Sequence, residues 1–251
     1  MAERRRPRSS KVVQTAAGTL AILLGLSVVA YGLYTSGYIR LNYPSTKTYP
    51  VRGLDVTGDL GAVDWKALGG VDFAFIRASE GRNLRDTFFR RNWLAARGRV
   101  ARGAYHVFTF CADGAAQADN LVAAVPFKDG ELPPAVDIEF AGNCQSPPAD
   151  DVIRTNLVAF LHTLAKHKVP KPVLYVTPES YERIVQGRVK GYPLWVRDVV
   201  FRPSPEAYPG LTFWQYAGNG RVAGIGPLVD LDVFFGSADA FRHTFPRSHT
   251  Q

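Results

Sequence analysis

From Val51 onward, short runs rich in β-branched and aromatic residues alternate with segments of helical period, and this alternation limits the possible folds more than any other feature of the chain. Strand-like runs fall at residues 52–56, 73–78, 103–110, 135–140, 172–177, 193–196, 212–216 and 230–235. Helical patterns fit 64–68, 87–97, 115–124, 150–167 and 179–184. Strands spaced by helices make a mostly parallel sheet, and eight of them point to a closed α/β barrel of irregular TIM-like form. Helices thin out toward the end, so the C-terminal part is expected to be partly antiparallel. With 251 residues, 46% of them apolar, the chain can bury one large core. The sequence shows no internal repeat and no phosphate-cradling Gly loop.

The first fifty residues have a different character. No charge occurs from Val12 to Ile39, and the densest apolar part, residues 16–34, is long enough to cross a hydrocarbon core. Arg4, Arg5, Arg6, Arg8 and Lys11 precede it. The positive-inside rule keeps that end cytoplasmic and exports everything after Arg40. The expected organisation is a basic cytoplasmic tail (1–11), a transmembrane signal-anchor (12–39), a Pro/Ser/Thr linker (40–50) and a barrel (51–251). A cleaved signal peptide is the alternative, with Val28-Val29-Ala30 a loose match to a cleavage site. The net charge of +8 is concentrated here: residues 1–40 hold six basic residues against Glu3, which is +5, leaving +3 for the remainder. A body so mildly basic is not expected to bind nucleic acid.

Within the barrel, acids carry the chemical signal. The stretch LPPAVDIEF places Asp137 and Glu139 two residues apart on a strand, so both look the same way, about 6.5–7 Å apart along the backbone. Crowding two carboxylates where solvation is poor raises at least one pKa, which keeps one acid protonated beside an ionised partner. Asp55 closes the first strand and Asp230 opens the last. If the last strand runs antiparallel, its start lies at the rim where the other strands end, and four carboxylates converge. Tyr105, Tyr175, Trp195, Trp214 and Tyr216 fall on the same strand ends, as does Phe108. Such rings stack on the apolar faces of sugars, while Gln215 and the acids suit their hydroxyls. Barrel filling is the alternative for any one ring. His106 reads as a packed core histidine.

Cys111 follows the third strand and Cys144 the fourth, at one rim. In an exported domain such a pair can oxidise to a disulfide; two unrelated free thiols are the alternative. With no CxxC and no His/Cys cluster, neither a metal nor another cofactor is expected.

The ordered set GLDVTGDLGAVDW, FAFIRASEG with Asp86, Phe88 and Asn92, GAYHVF, Gln117-Ala118, LPPAVDIE, VLYVT, PLWV, WQYA and GIGPLVDLDVF resembles glycoside hydrolase family 25, the lysozyme-type muramidases. The match runs from about Val51 to Phe235. It implies an irregular α/β barrel that cleaves the β-1,4 bond between N-acetylmuramic acid and N-acetylglucosamine in peptidoglycan. It also implies Glu139 as the acid, Asp137 as its partner, and Asp55 and Asp230 as supporting carboxylates. Three places depart from the family's usual pattern: Thr57-Gly58-Asp59, Ala78-Ser79-Glu80-Gly81 and, after Trp195, Val196-Arg197-Asp198. The expectation is a monomeric, membrane-anchored enzyme facing the wall. A non-catalytic glycan-binding module tethered to the membrane is the alternative, and a metal-dependent hydrolase a third.

Overall fold

The computed structural model describes residues 8–127 and 131–246. The chain divides into two compact units, Met1–Arg40 and Leu41–Gln251. The first contains helix α1, Arg8–Thr35, within which Val13–Thr35 is long and apolar enough to cross a membrane. None of that span is buried against protein. The expected basic residues Arg4, Arg5 and Arg6 lie outside the described residues.

The second unit is the barrel. Its strands are β1 (Arg52–Val56), β2 (Phe73–Glu80), β3 (Leu84–Arg85), β4 (Ala101–Val107), β5 (Ala135–Ile138), β6 (Val173–Val176), β7 (Leu194–Arg197), β8 (Leu211–Gly220) and β9 (Val229–Phe234). Helices α2 (Phe89–Ala96), α3 (Gly114–Ala124), α4 (Asp150–Lys166), α5 (Pro178–Ser180) and α6 (Ala238–Thr244) lie between or after them. A π turn, Tyr181–Val185, continues α5.

The order β1-β9-β8-β7-β6-β5-β4-β2 closes through parallel pairing of β1 with β2, giving an eight-stranded barrel. Only β9 within it runs against its neighbours, antiparallel to both β8 and β1. The short β3 pairs outside the ring with the end of β2.

Strand alternation sorts the side chains into two cores. Leu54, Val56, Ala74, Ile76, Val136, Ile138, Leu174, Val176 and Val196 face outward, where α3 and α4 add Leu121, Ile153, Leu157 and Phe160. Phe73, Phe75, Tyr105, Tyr175, Trp195, Phe213 and Phe234 fill the barrel. Two glycines make room for the rings: a Cβ on Gly53 would lie 2.2 Å from the Phe73 ring, and one on Gly103 2.6 Å from Phe75. Helix α6 stoppers the N-terminal end, with Phe241 against Phe73 and Phe234 and with Phe245 stacked on Phe213. Each buried ring contributes roughly 1.5–3 kcal/mol by leaving water.

Three local expectations change. Residues 64–68 form a turn rather than a helix, because Gly69-Gly70 follows and the segment is pinned from outside: Asn92 Oδ1 accepts from the Val63 amide and Trp65 Nε1. Residues 103–110 end as a strand at Val107, and 135–140 at Ile138, so Glu139 stands just past its strand. The segment after Leu41 is not a free tether over its length. Asn42 donates to the Val199 carbonyl, Arg52 donates to the Pro44 carbonyl, and buried Tyr49 meets Trp214 and Phe235.

Candidate active site

The parallel strands end at one rim, and β9 begins there. Register places Asp55 directly opposite Asp230, with α-carbons about 4.5–5.5 Å apart for an antiparallel pair. Asp137 lies at the end of β5, paired with Tyr175 on β6. Together Asp55, Asp137, Glu139, Asp230, Tyr105, Tyr175, Trp195 and Gln215 line a single cavity of about 260 Å³, with Arg77 and Glu80 on its wall.

Hydrogen bonds order its floor. The Tyr175 hydroxyl donates to Gln215 Oε1 at 3.0 Å, and Gln215 Nε2 donates to Asp55 Oδ2 at 2.7 Å. Trp195 Nε1 donates to Asp232 Oδ1 at 2.8 Å, so this ring, stacked at 4.7 Å on Phe75, both fills the barrel and steers a carboxyl. One oxygen each of Asp137 and Asp232 is buried without a hydrogen-bond partner among the described residues.

These acids are pushed upward together. Burial lifts Asp55 well above the usual carboxylate range, and the charges of Asp230 and Asp232 add to it. Burial and the Glu139 charge do the same for Asp137; burial and Asp230 do so for Asp232. Glu139 and Asp230 are raised by burial and held back by the Arg197 cation. The phenols of Tyr105 and Tyr175 are raised by burial and by the same carboxylates. The mouth therefore retains protons at pH values where exposed carboxyls have lost theirs.

The rim is braced from behind. Asn143 Nδ2 donates to the carbonyls of Phe108 and Glu139, and its Oδ1 accepts from the Phe110 amide, fixing the backbone that carries Glu139. Next to it the Cys111–Cys144 disulfide joins the loops after β4 and β5, with α-carbons 6.3 Å apart. Closing a loop of this size stabilises by about 3–4 kcal/mol on the chain-entropy account. On the other side Asp86 accepts from Arg77 Nε at 2.9 Å and from the Gly58 amide at 2.7 Å, which sets the turn after β1.

Two of the rings expected here point elsewhere. Trp214 and Tyr216 flank Gln215 on β8, and because neighbours on a strand face opposite ways, the inward Gln215 sends both outward. Trp214 packs on Tyr49 and donates to the Asp198 carbonyl; Tyr216 lies against Trp214 and beneath Arg52. Phe108 likewise sits in the outer core. His106 is a core histidine, bonded between Ser79 and Gln117 and tilted against the Phe160 ring, its pKa lowered by burial to about 4.

Sequence reasoning passed over Asp232 and Asn143, and met Arg197 only as a departure from the family's usual pattern. The signal for Asp232 was present: it follows Asp230 by two residues, the same spacing that singled out Asp137 and Glu139.

Comparison with known proteins agrees with this architecture. The family model described as Glycosyl hydrolases family 25 matches residues 54–225. A family 25 glycosyl hydrolase from Bacillus anthracis superposes with a TM-score of 0.75 at 32% identity, covering 82% of this chain and 97% of that one. The bacterial lysozyme from Streptomyces coelicolor gives a TM-score of 0.67 at 30% identity, over 76% of this chain and 94% of that one. Lysozyme M1 of Streptomyces globisporus is 32% identical over 206 residues, 76% of this chain and 70% of that protein. With the barrel closed as these structures close it and the family's sequence pattern running from Leu54 to Ile225, the chain belongs to family 25 of the glycosyl hydrolases.

Proposed function

We propose that this protein is a lysozyme-type muramidase, cleaving the β-1,4 bond between N-acetylmuramic acid and N-acetylglucosamine in peptidoglycan, with Glu139 as the general acid. The observation that carries the reading is the convergence of Asp55, Asp137, Glu139 and Asp230 on one mouth of a family 25 barrel.

Access decides which acid delivers the proton. Asp137 lies within β5 with its Oδ1 buried, whereas Glu139 stands past the strand end, where a glycosidic oxygen can reach it. Burial and neighbouring negative charge raise both carboxyls, so a proton stays on this pair to higher pH than on exposed acids. Glu139 gives that proton to the leaving oxygen, and the aglycone departs as an alcohol. Asp137 faces the positive charge that develops at the anomeric carbon, either directly or by orienting the substrate's own N-acetyl group as internal nucleophile. Asp55, held by Gln215, and Asp230 complete the polar floor. Tyr105 and Tyr175 line the floor that meets the sugar, and Trp195, 1% exposed, packs beneath them as barrel core.

The span Val13–Thr35 and the basic residues before it support a membrane anchor with the N-terminus inside and the barrel facing the wall. Cleavage of this segment would instead release the same enzyme in secreted form.

Incubating the protein with purified peptidoglycan and identifying the new reducing end by mass spectrometry tests the reaction. Reducing-end muramic acid is expected. Reducing-end glucosamine would make it a glucosaminidase, and binding with no product would leave a glycan-binding module.

Arg197 tunes the acid. Among the described residues it has no carboxylate within ion-pair distance, yet its charge is felt by Asp137, Glu139 and Asp230. Arg197→Ala removes the influence that holds Glu139 down, so the acid stays protonated to higher pH. The basic limb of the pH–rate profile should move up by roughly half to one pH unit. An unmoved limb would mean that another group controls it.

A further inference from the structure

The loop that leaves β7 stands at the mouth, since it begins directly after Arg197, and its side chains have no role in the chemistry above. Asp198 Oδ1 accepts from the amides of Val200 and Phe201 at 3.0 and 2.7 Å, while the Asp198 carbonyl accepts from Trp214 Nε1. The turn is therefore fixed, and it presents Val200 at 52% and Phe201 at 72% exposure. Asn42 donates to the Val199 carbonyl at 2.7 Å, which lays the entering chain beside this turn. Residues 41–44 alternate, with Asn42 and Pro44 half-buried and Leu41 and Tyr43 outward at 59% and 60% exposure. Leu41, Tyr43, Val200 and Phe201 are thus exposed close together, while the other exposed large apolar side chains of the barrel unit, Leu84, Leu94, Val152 and Val158, are spread over β3, α2 and α4. Arg202 flanks them, its guanidinium about 5.5 Å from the rings of Tyr49 and Phe235.

A lipid surface fits this patch better than a sugar. Leu41 and Val200 offer no flat ring for stacking, and an aromatic pair mixed with aliphatics beside a basic residue suits the headgroup boundary of an anionic bilayer. Chain length points the same way. Seven residue steps separate Thr35, the end of the candidate span, from Asn42, and they reach at most about 25 Å.

We propose that Leu41, Tyr43, Val200 and Phe201 form an apolar foot that rests in the headgroup region of the bilayer crossed by Val13–Thr35, holding the active mouth close to the membrane. The enzyme's substrate is then membrane-proximal glycan rather than the outer wall. This inference rests on the anchor reading.

The test uses the full chain in vesicles of phosphatidylethanolamine and phosphatidylglycerol. No free cysteine occurs among the described residues, so a single introduced thiol can carry a fluorophore, at Phe201→Cys or at Arg90→Cys on α2. Helix α2 follows β2, which lies half-way round the barrel from β7. Lipids bearing a nitroxide near the headgroup should quench the label at 201 several-fold more than the label at 90. Equal quenching in protein that floats with the vesicles would overturn the foot and leave the anchor standing. Failure to float after a high-salt wash would overturn both. A second variant, Phe201→Asp, should leave hydrolysis of soluble glycan fragments unchanged and lower the 201-side quenching seen with a label at Val200→Cys. A raised KM on the soluble fragments would instead assign Phe201 to a sugar subsite and overturn the lipid assignment.

Discussion

Glu139→Gln should bind glycan strands about as well as the parent protein while its turnover falls by roughly 10²–10⁴. The amide keeps the shape of the side chain and most of its hydrogen bonding, but it has no proton to give. The Glu139 backbone carbonyl accepts from Asn143, whose other bonds go to the main chain around Phe108 and Phe110, so the loop is held independently of the acid. The substitution thus removes a function without removing a brace. Turnover on purified peptidoglycan, together with sedimentation of the variant with insoluble wall, separates chemistry from binding. Near-normal cleavage would refute the assignment and reopen the binding-module and metal-dependent readings.

The barrel was legible because its signals are local. A short run such as RGLDV, set between Pro50 and Gly58, reads as a strand, and β1 occupies the expected residues 52–56. The antiparallel placement of the last strand was legible as a condition on the acids, and the direct pairing of Asp55 with Asp230 meets it. What escaped notice depends on partners distant in sequence. Leu84–Arg85 is a strand only because Ser79 and Glu80 pair with it. Helix α6 has one clear local mark, Ser237 accepting from the Ala240 amide, and its place as the barrel's stopper depends on Phe73, Phe213 and Phe234.

The site follows the same division. The period of two that placed Asp137 beside Glu139 also places Asp232 beside Asp230, and it forbids Trp214, Gln215 and Tyr216 from sharing a face. Choosing Gln215 as inward already excluded both rings on β8. Arg197 showed in the sequence only as a departure after Trp195; its influence on three acids needs β5, β7 and β9 around one mouth. Asn143 carried no signal at all, since its three bonds reach into the turns after β4 and β5.

Asp137→Asn should impair turnover nearly as severely as Glu139→Gln, for an electrostatic reason. Its Oδ1 is buried with no hydrogen-bond partner among the described residues, whereas Asp55 is held by Gln215 and Asp232 by Trp195. An acceptor left open in that position is available to substrate, and an amide is a poor partner for positive charge at the anomeric carbon. Both residues serve one step, so the double variant should be little worse than the more damaged single one. Additive losses would place the two acids in separate steps. The pH profile gives an independent check with a defined sign. While Asp137 is present, the last proton of the pair leaves against a neighbouring negative charge, which raises its pKa. In Asp137→Asn that charge is gone, Glu139 ionises more easily, and the basic limb of the residual activity should move to lower pH. That shift is opposite to the one expected for Arg197→Ala. Two substitutions, on β5 and at the end of β7, that displace one limb in opposite directions would identify Glu139 as the group that titrates, whereas displacement in the same direction would transfer that role to another acid in the mouth.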